Sequence, residues 1–216
     1  MTTSNPSMRD ILARSPVMPI LTIHDASVAG DLARALVAGG VFVFEVVMRT
    51  PAALDAIKVM SQATPEAHIG AGTVLTRQNV EQAMDAGAVF GVSPGLTSEL
   101  GDAVQSVGFP FLPGVTTASE VIRAMEFGLF EQKLFPAHGR AGVAWLQAMS
   151  GVFPRVKFCP TGGIKPNDIP EYLALPNCMT VGGSWVAPAK LVEARDWASI
   201  TELARQASSM AGPGQW

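Results

Sequence analysis

Short apolar runs alternate with helix-like segments along the whole chain, and this alternation does most to limit the fold. The runs are Val17–Ile23, Phe42–Met48, His68–Thr73, Val89–Ser93, Phe109–Pro113, Gln132–Phe135, Val156–Thr161 and Met179–Gly182. They recur every 20 to 26 residues. Strands separated by helices in this way lie parallel, because a parallel neighbour is reached only through a long crossover. Eight units in 216 residues predict an α/β fold, a compact (β/α)8 TIM barrel, as one domain over residues 1–216. A doubly wound open sheet is the alternative, but eight near-equal units favour closure. Ser7–Arg14 reads as a leading helix that covers the barrel bottom.

Local signals place the boundaries. Thr50-Pro51 predicts an N-cap followed by proline at the first helical position. Thr117-Ala118-Ser119-Glu120 has the capping-box pattern. Gly39-Gly40, Gly87, Gly108 and Gly128 each end a helical pattern just before a strand, where a left-handed residue is wanted. The tail after Ser209, with Gly212-Pro213-Gly214, reads as frayed.

Composition narrows the function. Apolar residues make up 48% and charged residues 15%, so much of the chain is buried on more than one side. A net charge of −3 gives no reason to expect nucleic acid. No apolar run approaches the ~18 residues of a membrane span, and Met1–Pro6 lacks the pattern of a signal peptide. Cys159 and Cys178 have no metal-ligand spacing and read as buried thiols, while His24, His68 and His138 are scattered. The expectation is a soluble cytoplasmic protein without a histidine metal cluster.

Among five lysines, Lys133 lies within an apolar strand run, and the other four read as helix, loop or strand-start positions. An unpaired ammonium is costly there, and a neutral amine is a nucleophile toward carbonyls. Parity supplies its surroundings, because barrel strands alternate inward and outward. On the second strand Phe42, Phe44, Val46 and Met48 share the helix-facing side, and Val43, Glu45, Val47 and Arg49 share the lumen side. On the sixth, Lys133 and Phe135 share a face, which if inward brings Lys133 toward Glu45. The competing reading is a purely structural ion pair of Lys133 with Glu131 or Glu45, or of Glu45 with Arg49. Lys157 is the rival amine: it shares a face with Cys159 and Thr161 but lies near the N-terminal end of its strand, away from the end where barrels place chemistry.

Two glycine doublets follow the last two strands, in Thr161-Gly162-Gly163-Ile164 and Gly182-Gly183-Ser184. Loops at these positions of a barrel often aim backbone N–H groups at a phosphate. Tight turns are the plainer reading. Thr73, closing Gly70-Ala71-Gly72-Thr73, offers a hydroxyl to a carboxylate.

These residues together resemble a known family, the class I 2-keto-3-deoxy-6-phosphogluconate (KDPG) and 4-hydroxy-2-oxoglutarate aldolases. The resemblance runs from Ile11 to Arg205 and is carried by Glu45, Arg49-Thr50, Gly70–Leu75, Ser93–Thr97, Pro113–Thr117, Lys133–Ala137, Phe158–Ile164 and Gly182–Trp185. It implies Lys133 as the Schiff-base lysine and Glu45 as the general acid/base. It implies Arg49 and Thr73 on the pyruvate carboxylate, Pro94 and Phe135 as an apolar wall, and Thr161 as a polar substrate contact. Gly162, Gly163, Gly183 and Ser184 are implied as the phosphate loop. A cofactor-independent, metal-free homotrimer acting on a small 2-keto acid (phospho)sugar is implied as well. Expected alternatives are the 6-phosphogalactonate epimer, unphosphorylated 4-hydroxy-2-oxoglutarate, a phosphosugar isomerase or epimerase on the same barrel, and a sugar-phosphate sensor. Where many relatives carry an acidic residue and a glycine-rich turn, this chain has His138-Gly139-Arg140-Ala141-Gly142. The added charge suggests that Arg140 attracts an anionic substrate, the alternative being a solvated loop charge.

Overall fold

The computed structural model describes residues 6–210, so the Gly212-Pro213-Gly214 tail lies outside the described residues. Ser7 caps the first helix. Its hydroxyl accepts the Asp10 N–H at 3.2 Å, and the Asp10 carboxylate accepts the Ser7 N–H at 3.1 Å. This capping box starts α1 (Met8–Leu12), which buries Met8, Ile11 and Leu12.

The strands are β1 (Val17–Leu21), β2 (Val43–Val47), β3 (His68–Gly72), β4 (Phe90–Val92), β5 (Phe111–Leu112), β6 (Gly114–Val115), β7 (Glu131–Leu134), β8 (Lys157–Phe158) and β9 (Val181–Gly183). Between and after them run α2 (Ala29–Ala38), α3 (Ala53–Ala63), α4 (Arg77–Asp85), α5 (Ser98–Val107), α6 (Ala118–Glu126), α7 (Arg140–Val152), α8 (Ile169–Leu173), α9 (Ala189–Glu193) and α10 (Trp197–Ser208). Parallel pairing runs β9-β1-β2-β3-β4-β5 and then β6-β7-β8. Single bridges Phe158↔Cys178 and Thr161↔Gly182 close the ring between β8 and β9. The result is the predicted (β/α)8 barrel.

Two predicted strands are broken, each at a proline. The run Phe109–Pro113 is a strand only at Phe111–Leu112, β5, and pairing resumes past Pro113 as β6, outside the predicted run. Pro113 has no N–H to donate, but its carbonyl accepts the Lys133 N–H at 2.8 Å. The chain thus changes partner there, from β4 to β7. The run Val156–Thr161 pairs regularly only at Lys157–Phe158, because Pro160 interrupts it and Thr161 rejoins as a lone bridge. The Thr50 N-cap is also corrected. Its hydroxyl donates across the barrel mouth to the Ile23 carbonyl, Pro51 stays in the turn, and α3 begins at Ala53. By contrast Thr117 and Glu120 form the predicted capping box.

The core has two layers. Outside the sheet, Phe44 and Val46 pack with Leu32 and Leu36 of α2 and Ile57 and Met60 of α3. Inside, Met18, Val43, Phe90, Val92, Leu112 and Cys159 fill the lumen, with Met8, Ile11 and Leu12 of α1 packed onto them. The short helix therefore plugs the barrel as expected. Lumen side chains interlock by size: a Cβ on Gly70 would overlap the Phe90 ring.

Candidate active site

Glu45 and Lys133 meet inside the barrel. Parity on β2 sends Glu45 inward, where it is 1% exposed, and parity on β7 sends Lys133 inward at 7%. The outward neighbour Gln132 instead donates its amide to the Leu129 carbonyl at 2.9 Å. Lys133 Nζ lies 3.4 Å from both Glu45 carboxylate oxygens and 5.2 Å from the Phe135 ring centroid. Glu131 does not compete for Lys133, since it pairs with Arg9 at 2.7 Å. Lys157, the rival amine, donates to the Pro176 carbonyl at 2.7 Å and stands away from Glu45. The parity assignment therefore holds at each of these positions.

Phe135 and Thr161 link this pair to a cavity of about 300 Å³ at the C-terminal mouth of the barrel. Arg49, Phe135, Thr161, Gly162, Gly163, Gly183 and Ser184 line it, so seven of the predicted residues converge on one space. Arg49 is exposed and makes no ion pair with any described residue, which leaves its guanidinium free for an anion. A guanidinium is suited to two-point grip of a carboxylate. Gly162 and Gly163 adopt φ of 100° and 72°, a backbone that side chains resist, so glycine is required in this loop. Such a turn directs consecutive N–H groups at an anion. The Thr161 side chain sits where a Cβ on Gly182 would be.

Thr73 and Pro94 do not line this cavity. Their neighbours in the chain and register flank the Glu45–Lys133 pair instead. Thr73 follows Gly72, whose Cα faces the Glu45 carboxylate, and the Pro94 carbonyl packs on Gly114, the register partner of Lys133. Thr73 has φ 62°, an uncommon backbone for a β-branched residue, and strain of this kind collects at functional sites.

The cavity also contains residues that sequence reasoning missed, namely Ile20, Thr22, Ile164 and Gly182. Thr22 was detectable, because Met18, Ile20 and Thr22 alternate on one face of the first run just as the lumen residues of β2 do. Cys159 lies beside Thr161, with Sγ 3.8 Å from Oγ1. Burial pushes its thiol up to about 12, opposed by the nearby Lys133 charge, so it stays protonated and inert at neutral pH. Arg140 is not poised over the cavity. It pairs at 2.9 Å with Glu171 on an exposed surface, which neutralises it. Among the described residues no group of three or more His, Cys, Asp or Glu side chains could hold a metal ion, and no helix is long and apolar enough to cross a membrane.

The chain as a whole, rather than this site alone, matches known proteins. The family model for KDPG and KHG aldolases matches residues 8–203. The chain belongs to that family. It is similar to a 2-dehydro-3-deoxy-phosphogluconate aldolase of Pseudoalteromonas atlantica, 48% identical over 93% of this chain and 94% of the relative. It is similar to the KHG/KDPG aldolase of Escherichia coli, 47% identical over the same shares. The solved KDPG aldolase of Legionella pneumophila superposes with a TM-score of 0.91 at 43% identity, covering 95% of this chain and 100% of that one. That structure holds pyruvate captured as a covalent carbinolamine. A carbinolamine is what a lysine amine forms with a keto acid, the chemistry read for Lys133 of this aldolase-family chain.

Proposed function

We propose that the chain is a class I aldolase that cleaves KDPG to pyruvate and glyceraldehyde 3-phosphate, with 4-hydroxy-2-oxoglutarate as a second substrate. The observation that carries this reading is the buried Lys133–Glu45 pair, 3.4 Å apart beneath the cavity. In the neutral state Lys133 attacks the keto carbon, and Glu45 carries protons as the carbinolamine loses water. The protonated imine is an electron sink. The bond between C3 and C4 breaks, its electron pair forming an enamine, while Glu45 takes the proton of the C4 hydroxyl and C4 becomes the aldehyde. Glu45 then returns that proton to C3, and water releases pyruvate from Lys133.

Arg49 and Thr73 hold the keto-acid carboxylate in this reading, which sets the ketone over the amine. Phe135 and Pro94 wall the reacting carbons, Thr161 contacts a substrate hydroxyl, and Gly162, Gly163, Gly183 and Ser184 take the phosphate. A cytoplasmic homotrimer needing no cofactor completes the proposal. The test is a steady-state comparison of KDPG, its C4 epimer and 4-hydroxy-2-oxoglutarate by pyruvate release. The expected order places KDPG first in kcat/KM. Absence of pyruvate from KDPG overturns the assignment, and a higher kcat/KM for the epimer moves it to the galactonate branch.

A further inference from the structure

The Lys133 ammonium is the one hydrogen-bond partner of the Glu45 carboxylate among the described residues, at 3.4 Å from each oxygen. Charge-assisted bonds that fix a geometry run at about 2.7–2.9 Å. A pair this loose does not by itself hold the carboxylate. Packing does. Glu45 is the register partner of Gly70, and its side chain leans two residues up the barrel, onto the Cα of Gly72. A Cβ on Gly72 would overlap Glu45 Oε1 and lie 2.7 Å from both Cγ and Cδ.

Gly72 sits in a regular strand at negative φ, so its backbone conformation does not require glycine. Its carbonyl accepts the Met48 N–H at 2.8 Å, which ties it to the chain just beyond β2. The backbone therefore cannot step aside for a methyl group. We infer that Gly72 is a positioning residue: its missing side chain is the seat that aims the Glu45 carboxylate at the carbon and oxygen atoms it must serve. This rests on the reading of Glu45 as the proton carrier.

The experiment uses Gly72→Ala, Glu45→Ala and the double variant, with Glu45→Gln as reference. Two rates are read: aldol cleavage, and exchange of the pyruvate methyl protons with D2O, which reports proton transfer at the enamine without the aldehyde half. For Gly72→Ala, cleavage kcat and exchange both fall on the order of 10- to 100-fold, as expected for a displacement of about 1 Å. KM and the melting temperature stay near wild type, and borohydride still traps pyruvate on Lys133. Alanine at position 45 removes Cγ, Cδ and Oε1, the three atoms the new methyl group would meet, so the double variant is no slower than Glu45→Ala alone. Losses that multiply in the double variant, or a Gly72→Ala enzyme that exchanges at the wild-type rate, overturn the inference. If Gly72→Ala fails to fold, a folded double variant with the rate of Glu45→Ala supports the seat, and an unfolded one overturns it. If Glu45→Gln keeps the full rate, the proton-carrier reading itself fails, whatever Gly72→Ala does.

Discussion

The lower and upper parts of the barrel lumen are built on the same strands and solve opposite problems. Below, Val43 of β2, Phe90 of β4 and Leu112 of β5 pack with Met8, Ile11 and Leu12 of the plugging helix. Above, β2 offers Glu45 and then Arg49, and β7 offers Lys133. The lumen face of β2 and the turn after it thus carries Val43, Glu45, Val47 and Arg49, with its two charges toward the mouth. The lower layer gains stability from apolar area removed from water, at about 25 cal/mol per Å². The buried pair above returns little net stability, because desolvating two charges offsets most of their attraction. The division teaches that the barrel holds a costly amine–carboxylate pair in place by filling the space beneath it. The chemistry then depends on few side chains and the fold on many.

Substitutions that separate the two regions test this division. Glu45→Gln keeps the shape of the upper lumen and removes the proton carrier, so kcat falls on the order of 10²-fold or more while the protein still folds. A smaller loss places the proton transfers elsewhere. In the lower lumen Leu12 is 1% exposed. Leu12→Ala leaves a cavity and destabilises by about 2–5 kcal/mol, read by urea or thermal unfolding, with kcat of the folded enzyme unchanged. If Leu12→Ala lowers kcat as much as Glu45→Gln does, the two layers are not separable. The smallest effect belongs to the rim. Arg140 is exposed and paired with Glu171, an interaction of about 0–1 kcal/mol. Arg140→Ala leaves both stability and the salt dependence of kcat/KM as in wild type. A flatter salt dependence in that variant would give Arg140 a part in drawing in anions after all.

What could be read from the sequence follows the same contrast. The second strand was legible because strict alternation puts Phe44 and Val46 on one face and Val43, Glu45 and Arg49 on the other. Lys133 was legible because a charge inside an apolar run needs a partner. The fifth strand was legible only in part, since its pairing continues past Pro113 to Gly114–Val115, beyond the point where a proline reads as the end of the strand. Thr50 misled because its side chain suits an N-cap, yet the Ile23 carbonyl takes its hydroxyl. Thr22 was legible from the alternation of Met18, Ile20 and Thr22 and was passed over at the end of an apolar run. The seat at Gly72 depends on register between two strands, Glu45 opposite Gly70, and no pattern within either strand reports it.

The central claim is that one nitrogen, that of Lys133, joins covalently to the keto acid. Incubation with pyruvate and borohydride, then digestion and mass mapping, tests it directly. The account predicts one reduced pyruvyl group, on Lys133 and on none of the other four lysines, and neither label nor turnover in Lys133→Ala. An adduct on Lys157, or a Lys133→Ala enzyme that turns over at the wild-type rate, contradicts it.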